Sequence, residues 1–183
     1  IQGSQAQGQP YGIGGIAGVN GNGTNTAVIR NCTYQGESLK GGKGSIHGNG
    51  ISTTSEDLAR VGGITGQNLL GGEIRQCTIG GSSSITGSLS YLGGLAGYNQ
   101  GLIQDCIEQT ESVVVQGIKS SCVGGAVGYN GDEGRTANVS VGIADSTQES
   151  KNWSIVNSQN TAHEFGTGGI IGNNVSRCDQ SGL

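Results

Sequence analysis

One eight-residue phrase occurs five times in this chain, and it restricts the fold more than any other feature. Its copies begin at Ile13, Val61, Leu92, Val123 and Thr167. Each has an aliphatic or β-branched residue, two glycines, two small or aliphatic residues, a glycine, a variable residue and an asparagine. The closing residues are Asn20, Asn68, Asn99, Asn130 and Asn174. From Gly62 to Gly93, and again from Gly93 to Gly124, the step is 31 residues; it lengthens to 48 from Gly14 to Gly62 and to 44 from Gly124 to Gly168. A fixed period that stretches in some copies is the signature of stacked repeats whose loops grow outward. A second mark follows each phrase, an Ile or Val three residues before a Cys or Ser. The pairs are Ile29 and Cys32, Ile74 and Cys77, Ile103 and Cys106, Ile143 and Ser146, and Val175 and Cys178.

Such a period predicts an all-β chain coiled as a parallel β-solenoid of about five rungs with about three short strands per rung. The glycine phrase is expected to form the first strand, with Leu95 pointing inward and Tyr98 outward. The second strand surrounds the Ile and Cys. Strict alternation puts these two on opposite faces, so a bend or bulge must intervene if both are buried. Ser45 to His47, Ser84 to Thr86, Val113 to Val115 and Ser154 to Val156 supply the third. Residues 1–12, polar and aperiodic around the single Pro10, read as a linker or frayed end, and 13–183 as one solenoid domain. Inserted length is expected near Gly36 to Arg60 in the first copy, and near Gly131 to Gly142 and Asn157 to Gly166 in the fourth.

Side chains at equivalent repeat positions should stack as rows. The five asparagines are expected to form a structural amide ladder, bonding from rung to rung as amides do in cross-β arrays. Cys32, Cys77, Cys106, Ser146 and Cys178 are expected to form a row of small buried groups. In-register neighbours lie about 4.8 Å apart, which is too far, with parallel Cβ vectors, for disulfides that want Cβ atoms roughly 3.5–4.5 Å apart. Cys122 lies off that row and is expected to be accessible. The cysteine spacings do not fit a zinc site, and no cofactor is implied.

Composition narrows the function classes. Among 183 residues there are 38 glycines, one Trp, one Phe, five Tyr and no Met, so thin aliphatic layers must replace a core of large side chains. The formal net charge is −4 without a basic cluster, which disfavours nucleic acid. No apolar run has the length of about 18 residues that a membrane span needs. The start at Ile1, without an initiator Met or signal peptide, is what a mature product or a piece of something longer would show.

Candidate ligand contacts are Trp153, Tyr98, Tyr129 and His163. Tyr98 and Tyr129 share a repeat position and are expected to stack outward. Trp153 belongs to the fourth copy, and His163 falls in its inserted length, where recognition loops on a rigid stack reside. His163-Glu164 begins like a zinc-protease helix but lacks the second His. Asp105 and Asp145 precede Cys106 and Ser146 and so stand as a carboxylate pair one rung apart. They are the basis of the rival reading, a polysaccharide lyase or glycoside hydrolase on a β-helix.

The run Gly94-Leu95-Ala96-Gly97-Tyr98-Asn99-Gln100-Gly101-Leu102-Ile103-Gln104-Asp105-Cys106 resembles the GLUG motif. This is a glycine-rich repeat of large bacterial secreted and surface proteins, including the non-catalytic region of IgA-specific metallopeptidases. The resemblance extends from about Ile13 to Cys178. It implies a non-catalytic, extracellular or cell-surface, adhesin-like segment: a rigid spacer whose inserted loops meet a host glycan or protein. The open ends would meet neighbouring solenoid segments or chains, and an end-to-end filament subunit is a further alternative. The protease motif is absent, so peptidase activity does not carry over.

Overall fold

The computed structural model describes residues 1–4, 11–35, 44–49, 58–80, 82–108, 112–118, 121–141, 152–158 and 166–175. All regular structure among them is β, and every strand pair is parallel and related rung to rung. The chain is a parallel β-solenoid. Its strands stack into five sheets, where the repeat pattern predicts three strands per rung.

The difference has two local causes, both visible in the third rung. There the chain runs through Ser82–Ser88, Ser90–Gly93, Ala96–Asn99, Leu102–Gln104 and Ile107–Glu108, one strand for each sheet in turn. The glycine phrase is therefore two strands and not one. A β-carbon built at Gly93 would lie 2.2 Å from the carbonyl oxygen of Ala96, so only glycine lets the chain double back this tightly. The Ile/Cys segment is also two strands. Between them the residue before the cysteine takes a left-handed conformation, with φ of +56° at Asn31, +53° at Gln76, +54° at Asp105 and +51° at Asn138. That corner turns both Ile103 and Cys106 inward, each 0% exposed. It costs on the order of 1 kcal/mol per non-glycine residue, least for Asn and Asp.

The corner also corrects the fourth copy. Leu102, Ile103 and Gln104 pair with Arg135, Thr136 and Ala137, and Ile107 pairs with Ser140. Val139 therefore occupies the Cys106 position, and Asn138 that of Asp105. These places, expected for Ile143 and Ser146, are thus filled by Thr136 and Val139; Ile143, Ser146 and Cys178 lie outside the described residues. Thr136 and Val139 fill the same space as Ile and Cys but do not spell the same letters.

Residues Gln2–Ser4, within the expected linker, pair with His47, Gly48 and Asn49 and open the first sheet. Gly12 likewise pairs with Arg60. The inserted length lies in 36–43, 50–57, 142–151 and 159–165, before and after the first-sheet strands of the second and fifth rungs. All four segments lie outside the described residues.

The core is a set of aliphatic rows. Ile13, Val61, Leu92 and Val123 stack in the second sheet, Ile85 and Val115 in the first, and Ile74 and Ile103 in the fourth. All belong to one buried cluster that also holds Ile64, Leu95, Cys77, Ile79 and Cys106. The second and third sheets approach backbone to backbone. A β-carbon at Gly97 would sit 2.3 Å from Val61 N and 2.6 Å from Tyr91 O, and main-chain atoms cannot step aside as a side-chain end can. Gly97→Ala is expected to cost about 3 kcal/mol or more. Gly169→Ala, whose added carbon meets nothing within 4 Å, should stay within about 0.5 kcal/mol of the parent. Urea unfolding of the two variants checks the contrast; equal effects would contradict the close approach.

Candidate functional site

Every third-sheet strand ends in the asparagine of the phrase, and these side chains turn into the stack. Asn20 Nδ2 donates to Asn68 Oδ1 at 2.8 Å, Asn68 to Asn99 at 2.8 Å, Asn99 to Asn130 at 2.7 Å and Asn130 to Asn174 at 2.9 Å. The same amide groups also donate to backbone carbonyls: Asn20 to Glu73, Asn68 to Leu102, Asn99 to Arg135 and Asn130 to Gly134. Asn68 and Asn99 are fully buried. Their amide chemistry is consumed by the ladder and is not displayed to a ligand.

The thiols form a parallel row. Cys32, Cys77 and Cys106 donate to the carbonyls of Arg30, Arg75 and Gln104, two residues back, and Cys77 and Cys106 also reach Ile29 O and Ile74 O in the preceding rung. Hydrogen bonding to the Cys77 sulfur, followed by burial, pushes the Cys106 thiol well above its ordinary range. Among the described residues no three His, Cys, Asp or Glu side chains assemble into a metal site.

The largest constellation of reactive side-chain types lies where the second and third sheets meet. The residue before each phrase forms one row, Gly12, Arg60, Tyr91 and Cys122. The residue before each asparagine forms the other, Val19, Gln67, Tyr98, Tyr129 and Asn173. Because the chain doubles back at the glycine pair, the two rows face one another. Three tyrosine rings stack nearly parallel there. Centroids lie 4.8 Å apart for Tyr91 and Tyr129, 5.7 Å for Tyr98 and Tyr129, and 6.0 Å for Tyr91 and Tyr98. Arg60 Cζ lies 4.2 Å from the Tyr98 ring centroid, a cation–π contact, and its Nη1 donates to Gln67 Oε1.

Burial sets the electrostatics. It lowers the Arg60 pKa, an effect opposed by Tyr98 and Tyr91. It raises Tyr91 above the ordinary phenol range, with smaller upward contributions from Cys122 and Tyr129, and it raises Tyr98, against which Arg60 acts. Cys122, expected to be accessible, is 0% exposed and packs with Leu58 and Tyr91. Its position in the inner row, opposite the third sheet, is the reason. Burial pushes its thiol up to about 11, against smaller lowering by Gly166 and Asn173. A thiol held neutral and enclosed in this way is a poor nucleophile. One face of Tyr98 meets Arg60, and the three rings lie within stacking distance of one another with Tyr98 and Tyr129 part-exposed.

Of the candidate contacts, Tyr98 and Tyr129 are brought together. Trp153 lies in another sheet, where its backbone pairs with Val113 in the last rung; its side chain and all of His163 lie outside the described residues. The rung position beside Asp105, expected for Asp145, is taken by Asn138. Asp105 accepts a 3.0 Å hydrogen bond from Asn138 Nδ2, because Asn138 is its rung neighbour, and Asp145 lies outside the described residues. Arg60, Tyr91 and Gln67 are additions to the site. Extending the repeat phrase one residue toward the N-terminus would have aligned Arg60, Tyr91 and Cys122 as a row.

Two outcomes test this assembly. Asn99→Ala removes a donor and an acceptor between buried partners and is expected to cost roughly 3 kcal/mol, whereas Asn174→Ala, at an exposed position, should cost less than about 1 kcal/mol; denaturant midpoints give both. The second outcome concerns pH. An unfolded cysteine ionises near 8.5, whereas Cys122 holds its proton to about 11 in the fold, so the unfolded state binds fewer protons between these values and stability falls as pH rises through the window. Tyr91 acts in the same direction. Urea midpoints should drop from pH 8 to 11, and less steeply in Cys122→Ala; a flat profile would contradict the enclosed thiol.

Comparison of the chain with protein-family models, curated proteins and solved structures gives no match.

Proposed function

We propose that this chain is a non-catalytic structural segment: a rigid β-solenoid spacer of an extracellular or cell-surface protein. It holds its inserted loops in place for a host glycan or protein ligand. The observation that carries this reading is the amide ladder, which runs without interruption from Asn20 to Asn174. A row of buried, mutually satisfied amides fixes one rung on the next and leaves little freedom for shear. The resemblance of the repeat to the GLUG motif of bacterial secreted and surface proteins supports the same reading, including its adhesin-like role. The insertions flank first-sheet strands of two rungs, and rigid elements with loops at their ends are a common arrangement for recognition.

The polysaccharide-active alternative draws no support from the described carboxylates. Asp105 is exposed and bonded to Asn138, and among the described residues it belongs to no cluster of three or more His, Cys, Asp or Glu side chains. The reading is tested by incubating the whole chain with a panel of polysaccharides and assaying new reducing ends and unsaturated products. No turnover is expected, and retention on one of the same glycans would support loop-mediated binding. Reproducible turnover abolished by Asp105→Ala would overturn the spacer.

A further inference from the structure

The tyrosine stack holds two phenols of neighbouring rungs side by side, an arrangement that the spacer reading does not use. Tyr98 and Tyr129 occupy one repeat position in the third sheet and are backbone partners in register. Their Cα–Cβ bonds therefore leave the sheet in parallel, and their ring centroids lie 5.7 Å apart with 15° between the planes. Both residues are part-exposed. Tyr91, from the second sheet, completes the stack at 4.8 Å from Tyr129 and 6.0 Å from Tyr98. It differs from the other two in being 5% exposed and enclosed with Leu58 and Cys122.

A phenol that loses one electron and one proton becomes a phenoxyl radical with spin density on the carbons ortho to its oxygen. Two such radicals join through those carbons only where the rings can meet, so proximity and orientation govern the coupling. In-register neighbours meet this condition. The motion required is a tilt of two part-exposed rings about their side-chain bonds, while the ladder holds the backbone. Tyr91 lacks that freedom because it is enclosed. Arg60 covers one face of Tyr98 and keeps that ring in the stack. Burial, more than the exposed Asp132 carboxylate, raises the Tyr98 phenol; the same carboxylate can take the proton that this ring gives up.

We propose that Tyr98 and Tyr129 form an oxidative cross-linking site, joined as a dityrosine by hydrogen peroxide acting through a haem peroxidase. Each phenol gives up one electron and one proton, and one C–C bond forms between the ortho carbons of the two radicals. The hydrogen on each of those carbons then moves to the oxygen of its own ring, which restores both phenols. Peroxide takes up the two electrons and two protons and leaves as two waters. The product ties the third rung to the fourth, beside the hydrogen bond from Asn99 to Asn130. It closes a loop of 31 residues, which removes freedom from the unfolded chain and multiplies the folding equilibrium constant on the order of 100-fold. The site uses the stack itself and does not depend on what the inserted loops bind.

Limited oxidation of the dilute whole chain by a haem peroxidase and hydrogen peroxide tests it, read by dityrosine fluorescence, denaturing electrophoresis and mass spectrometry of a digest. The expected product is a single chain lighter by two hydrogen atoms, whose linked peptides carry Tyr98 and Tyr129. It should need more urea to unfold than the untreated chain. Tyr98→Phe and Tyr129→Phe keep the ring and the stack but lack the phenol oxygen. Each should cut the within-chain yield by about ten-fold or more, since only an oriented pair couples ahead of separate chains. Tyr91→Phe should leave the yield near that of the parent. A parent that forms no within-chain dityrosine, or only covalent dimers, overturns the proposal. So does a link that requires Tyr91, or one spread evenly over the other tyrosines.

Discussion

The close approach of the second and third sheets governs the rest of the structure. At Gly66, Gly97 and Gly128 the third-sheet backbone lies so near the second that an added β-carbon would fall 2.3, 2.3 and 2.4 Å from the nitrogens of Ile13, Val61 and Leu92. Residues flanking these glycines must then go to one side or the other. Val61, Leu92 and Val123 turn to the aliphatic core, while Arg60, Tyr91 and Cys122 turn to the opposite face and gather with Tyr98 and Tyr129. The asparagine that closes the phrase is carried into the interior, buried at Asn20, Asn68, Asn99 and Asn130. Its amide must find partners there, because an unpaired buried amide costs on the order of 1–3 kcal/mol. The next asparagine in the row supplies them.

That ladder makes the molecule nearly one-dimensional. Each rung is held by the two beside it, and stability accumulates from rung interfaces as in other repeat proteins. It also gives the stack a direction. Donors point one way along the Asn row and along the bends, so the two faces of each rung differ chemically. The tyrosine and arginine cluster is a consequence of packing along this axis, its rings stacked on one another and Tyr98 on Arg60. Its elevated phenol and thiol pKa values reflect enclosure more than reactivity.

Much of this was legible in the sequence, because stacking puts identical letters in contact. The five asparagines align one above another, Tyr98 lies beside Tyr129, and Ile74 and Ile103 occupy one row. Corners were harder to read. Asn31, Gln76, Asp105 and Asn138 share a left-handed conformation but no residue type, so the pattern predicted three strands where there are five. In the fourth rung Thr136 and Val139 take the places of Ile103 and Cys106. Size and shape, not identity, qualify a residue for that row, since Thr136 fills it with its hydroxyl buried and unpartnered. Cys122 looked isolated only because its row mates are Arg60 and Tyr91, chemically unlike it and joined by position alone.

The most direct test of the stacked account is residue-resolved hydrogen exchange along one row. The amides of Ile64, Leu95 and Ala126 each donate to the next rung, at 3.1, 2.9 and 2.9 Å, and should exchange only with global unfolding. Ile170, on the last described rung, should exchange fastest of the row. Protection that rises from the end rungs to the centre is the expected result. Uniform protection along the row, or rapid exchange at Leu95 with slow exchange at Ile170, would contradict the solenoid.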